Sequence, residues 1–166
     1  MFDGFTEASM KTLMLAQQET RELKHHLVGT ETILLGLIGS SGLAALALKS
    51  SGINARQVRQ EVEKKIKHGQ CVPPVEIPFT PRAKRILENA GKLEPNQSHI
   101  STKHLLIALI DETIGNEPGG GVSILLKNKI NLSNLRQKLI TMNENLTISD
   151  MPDFSARELD AMEFRQ

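Results

Sequence analysis

The chain of 166 residues has no Trp, no Tyr and only five Phe. It therefore lacks the stacking platforms that unpaired bases need. One cysteine, Cys71, cannot close a disulfide within the chain, and a reducing compartment is the default. No charge of one sign dominates: 20 Lys and Arg face 19 Asp and Glu, a net charge of +1. Neither nucleic acid nor an anionic membrane is favoured by that balance, so neither is expected as a partner. The opening Met1-Phe2-Asp3-Gly4-Phe5-Thr6-Glu7 has two acids and no apolar run, unlike a signal or transit peptide. Thr32 to Leu48 is the longest uncharged stretch, yet Gly39-Ser40-Ser41-Gly42 interrupts it, which predicts two short buried helices joined by a turn.

What is present is helical periodicity, over a composition 39% hydrophobic. Thr6 is placed to cap a helix running to about Leu23, with Met10, Leu13 and Met14 inward. Thr30 reads as the N-cap of a second helix, buried through Ile33, Leu34, Leu37 and Ile38. A third covers Leu43 to Leu48 and stops at Gly52. Asn54 and Gln57 suit a capping box for a fourth, whose Val58, Val62 and Ile66 form one stripe. Pro73, Pro74 and Pro78 then force an extended connector, and Thr80-Pro81 restarts a helix with proline at its first position. No segment alternates apolar and polar residues for long enough to suggest a strand.

The second half repeats the first. Phe5-Thr6 returns as Phe79-Thr80, and Gly29-Thr30-Glu31 through Ile38 as Ser101-Thr102-Lys103 through Ile110. Ile53-Asn54 with Val58-Arg59-Gln60 returns as Ile130-Asn131 with Leu135-Arg136-Gln137. Caps and apolar positions agree in order, as in a tandem repeat. The expected fold is all-α: eight main helices in two related four-helix halves, packed as one pseudo-twofold domain. The expected boundaries are a first repeat over 1–66, a connector over 67–79, a second repeat over 80–143 and an acidic tail over 144–166.

Four pieces carry a resemblance: Phe5-Thr6-Glu7 with Leu13-Met14-Leu15-Ala16-Gln17, the Gly29–Ile38 block, and Ile77-Pro78-Phe79-Thr80-Pro81-Arg82-Ala83-Lys84-Arg85. Together they resemble the Clp amino-terminal (Clp repeat) domain, of the ClpC type of plastids and cyanobacteria, without its ATPase modules. The resemblance implies a non-catalytic domain that recruits substrate proteins or adaptors to a Clp ATPase or protease core. It implies a setting in the plastid stroma or the cyanobacterial cytoplasm. The chain is read as free-standing or split from its motor. The alternatives are a structural accessory subunit docking on the Clp ring or protease core and, less favoured, a helix-turn-helix-like nucleic-acid binder.

No catalytic constellation and no cofactor is expected. Gly119-Gly120-Gly121 leads to Val-Ser-Ile rather than Lys-Ser/Thr, so it encodes no phosphate loop and reads as an inter-helix insertion. His25, His26, His68, His99 and His104 show no metal-ligand spacing. Cys71 lies in the proline-rich connector, where nothing orients a base for it. The most informative group is Gly29-Thr30-Glu31: a helix N-terminus attracts an anion, and a carboxylate beside it can grip a guanidinium. The resemblance implies phosphoarginine as the ligand there. In the second half Ser101-Thr102-Lys103 puts a cation where the family usually has Glu, so that site is read as degenerate. The tail holds six acids against two arginines, and its Leu159, Met162 and Phe164 are the candidate docking element for a partner.

Overall fold

A computed structural model describes residues 2–96, 98–112 and 117–142. Among these lie eight α-helices and no strand: α1 (Glu7–Glu22), α2 (Thr30–Gly39), α3 (Leu43–Ser50), α4 (Ala55–Ile66), α5 (Pro81–Lys92), α6 (Thr102–Asp111), α7 (Gly120–Lys127) and α8 (Leu132–Thr141). Leu159, Met162 and Phe164 lie outside the described residues, as does the rest of the 144–166 tail.

Helix starts match in pairs across the two halves. Thr6 accepts from the Ser9 N–H at 3.2 Å to open α1, and Thr80 accepts from Ala83 at 3.1 Å to open α5, with Pro81 behind it. Asn54 and Asn131 accept from Gln57 and Asn134, each at 3.0 Å, to open α4 and α8. Each bond satisfies an N–H that the helix cannot pair internally. The Gln57 side chain does not complete a box; its amide points forward to Glu61 at 3.4 Å. Gly42 and Gly119 open α3 and α7 without a side-chain cap. Gly52, at φ +94°, follows α3 in the left-handed conformation where glycine carries no penalty.

The halves are also tied by exchange. Phe5 makes a parallel bridge to Ile100, and Phe79 makes one to Val28. Thr6 donates to the Ile100 carbonyl at 3.0 Å, and Thr80 to that of Val28 at 2.9 Å. The segment entering the first helix of each half is thus held by the segment entering the second helix of the other.

The core forms around α2 and α6. Every residue of α2 except Glu31 is buried, and α6 is buried except at Lys103 and Asp111. This explains the uncharged run at 32–48, because a helix packed on all sides has no wet face to carry charge. α2 and α3 meet at 92° across the Gly39–Gly42 turn, and no single helix among the described residues is long and apolar enough to cross a membrane. α1 packs closely on α2 because Gly36 lies against the Thr12 carbonyl, where a Cβ would collide. Burial opposes the charge on Arg59, but its hydrogen bond to Glu19 and the pull of Glu19 and Glu22 outweigh that and raise its pKa. α4 is thereby tied to α1. Arg136 ties α8 to Asp111 on α6 through bonds of 2.7 and 3.1 Å.

The connector runs extended along α1. Gly69 donates to the Leu23 carbonyl at 2.8 Å and Ile77 to the Gln17 side chain at 3.3 Å. The Cys71 thiol donates to the Lys24 carbonyl at 3.0 Å, and His25 Nε2 lies 2.6 Å from that of Lys67.

Candidate functional site

Gly29, not Thr30, is the N-cap of α2; Thr30 is its first helical residue. A threonine at the first position is free to direct its hydroxyl away from its own helix. The Thr30 Oγ1 accepts the N–H of Gly121 at 3.0 Å, the second residue of α7. Two helix N-termini from opposite halves therefore meet at one side chain. Gly119-Gly120-Gly121 is accordingly not an insertion between helices: Gly119 caps α7, and the other two form its first turn.

Glu31 extends over this junction. A Cβ on Gly120 would overlap the Glu31 carboxylate, and one on Gly29 would lie 2.8 Å from its Oε2. Glycine at both positions admits the carboxylate against the positive ends of α2 and α7, where negative charge is favoured. Arg82, in the first turn of α5, donates from Nη1 to the Glu117 carbonyl at 2.7 Å. Its Nη1 is 3.3 Å from where a Gly119 Cβ would sit. These residues, with Thr80 and Pro118, bound an open cleft of about 350 Å³. A carboxylate, a guanidinium and two helix N-termini thus share one concavity, able to hold a ligand carrying both charge signs.

The related place in the second half is built on the same frame but filled differently. Thr102 is the first residue of α6, and its Oγ1 accepts the N–H of Ala44, the second residue of α3, at 3.2 Å. Ser101 caps α6 in a box with His104, whose Nδ1 accepts the Ser101 N–H at 2.9 Å. Lys103 occupies the Glu31 position, yet its Nζ donates to the Met142 carbonyl at 3.2 Å. Met142 is the C-cap of α8, so the cation rests at a negative helix end rather than against a positive one. The structure thus brings Gly29, Thr30 and Glu31 together in a cleft, and commits Lys103 to a structural contact.

Arg82 and the glycines of α7 are absent from the sequence-level reading of this site. The signal was local in each case, a basic residue one step into a capped helix and a glycine run. Only their meeting gives either of them a role. Among the described residues no group of three or more His, Cys, Asp or Glu is placed to hold a metal ion.

The model of the Clp repeat (R) N-terminal domain family matches residues 4–117. The chain belongs to that family. It is 48% identical over 149 residues to the chloroplastic chaperone protein ClpC1 of Arabidopsis thaliana, covering 86% of this chain and 15% of that protein. The same identity relates it to an ATP-dependent Clp protease ATP-binding subunit ClpA homolog of Guillardia theta, with 86% and 17% covered. The chain thus spans under a fifth of the length of these ClpA/ClpC-type relatives. Among solved structures, the N-terminal domain of ClpD from Arabidopsis thaliana superposes with a TM-score of 0.67 at 22% identity, covering 85% of this chain and 98% of that one. The Hsp104 N-terminal domain from Candida albicans gives 0.65 at 17%, covering 84% and 91%. The all-α Clp N-domain fold anticipated from the tandem motifs is the fold observed.

Proposed function

We propose that this Clp N-domain is a non-catalytic recruiting module. It binds substrate proteins or adaptors for a Clp ATPase and its protease core, in a plastid or cyanobacterial setting. It reads phosphoarginine, or an arginine-rich segment, at the Gly29-Thr30-Glu31 cleft. The observation that carries this is the Glu31 carboxylate held between two helix N-termini with Arg82 on the rim. Glu31 grips a guanidinium, while Arg82 and the helix ends face a phosphate. The second copy does not take part, because Lys103 would repel the guanidinium and is committed to Met142. The acidic tail, through Leu159, Met162 and Phe164, is the element offered to a partner.

Calorimetry with free phosphoarginine tests the site. Glu31→Ala should abolish most of the affinity and Lys103→Ala should leave it unchanged. Equal losses from both variants, or no loss from either, refute the asymmetric assignment.

A further inference from the structure

A second concavity lies on the other side of α1 from its contact with α2. Its floor is made by Leu13, Ile77 and Phe79, all buried, and its wall by Phe2 and Met10. Phe2 stacks edge-on against Phe5 and Phe79, with ring centroids 5.8 and 6.2 Å away. Met14 stands on its rim 68% exposed, the most exposed large apolar side chain on any described helix. The volume is about 630 Å³. Lys84 and Arg21 line the same rim with Glu76, the one acid in that lining, and among the described residues Lys84 forms no ion pair.

We propose that, in the chain free of its partner, this groove is covered by the chain's own segment 155–164. Two complementarities select that occupant. The first is composition: within residues 158–164, Leu159, Met162 and Phe164 supply large apolar side chains for the groove, and Glu158, Asp160 and Glu163 supply acids for its cationic rim. The second is the charge distribution of the whole chain. Residues 1–143 carry its net positive charge and the tail its net negative charge, so docking neutralises both. The basic cleft between α4 and α7, with Lys64, Lys65 and Lys127, offers charge but only Ile124 as apolar lining. It therefore fits this segment less well.

Reach is not limiting. A domain of this size has a radius of gyration of about 14–15 Å. Residues 143–158, at up to about 3.5 Å each, span about 55 Å. Tethering also raises the local concentration of the segment to about the millimolar range, so a weak contact suffices. The groove shares no lining residue with the Glu31 cleft, and the proposal does not depend on any ligand binding there.

Disulfide trapping in the full chain tests it, in a Cys71→Ser background. Oxidation of Met14→Cys/Met162→Cys should give an internally cross-linked monomer. The pair Leu126→Cys/Met162→Cys, with its first cysteine on the exposed face of α7, should not. Adding Phe164→Asp, which lies in the tail and cannot disturb the buried core at Leu13 or Phe79, should remove the cross-link. Equal trapping at both positions, trapping at neither, or a cross-linked dimer in place of the monomer overturns the proposal.

Discussion

The start of α2 and the start of α6 share a frame and differ in what the frame is used for. In both, a threonine at the first helical position accepts the second N–H of a glycine-capped helix from the other half. In both, the side chain that follows the threonine is charged. Where it is Glu31 it stays in an open cleft beside Arg82, and where it is Lys103 it reaches the end of α8. The frame is a folding device, required twice because two helix ends are buried against each other twice. The charged residue that follows makes none of the frame's hydrogen bonds, so it can diverge while the frame is kept.

The deepest equivalence to break is in the core. Val62 on α4 and Leu139 on α8 occupy related positions and are both fully buried. Val62→Asp and Leu139→Asp should each cost about 4–5 kcal/mol, against a total of about 5–15. Loss of cooperative thermal unfolding by circular dichroism in both variants checks it; survival of one would show that the halves are unequally essential.

Next comes a pair that should not behave alike. Gly36 lies against the Thr12 carbonyl, whereas its counterpart Ala108 already carries a Cβ. Gly36→Ala should destabilise by about 2–3 kcal/mol through forced separation of α1 and α2. Ala108→Gly should cost only about 1 kcal/mol through helix propensity. Urea titration resolves that difference.

The shared frame itself predicts equality. Thr30→Ala and Thr102→Ala each strip a buried N–H of its acceptor, and each should cost about 1–2 kcal/mol. Chemical denaturation giving a clear loss for one and none for the other would mean that water replaces a hydroxyl on one side only.

The smallest effects belong to the ion pairs. Arg136→Ala, whose guanidinium is partly exposed, should cost about 0.5–1 kcal/mol. Its hydrogen bond to Asp111 and the attraction of that carboxylate raise its pKa, so the pair persists across neutral pH. Arg59→Ala should cost somewhat more, because it loses Glu19 and Glu22 together. Thermal shifts under matched salt compare the two.

Much of this was legible in the chain. The threonine and asparagine caps at Thr6, Asn54, Thr80 and Asn131 could be read directly, because a cap bonds within three residues of itself. The internal repeat could be read for the same reason: each half conserves the order of its own local signals. The N-cap of α2 is one residue earlier than the sequence suggests, at Gly29 rather than Thr30, since threonine is the better capping residue in isolation. Nothing nearby indicates that its hydroxyl is needed by a helix ninety residues away.

Sequence alone therefore determined the helices, their pairing into two halves and the position of the odd charge at Lys103. These follow from periodicity, capping and composition, which act over a few residues. Tertiary structure decided what surrounds that charge: that Glu31 faces Gly120 and the α7 N-terminus, that Arg82 closes the cleft, and that Lys103 is spent on Met142. Those contacts join segments far apart in the chain, and their energy exists only once α2 and α6 are buried together.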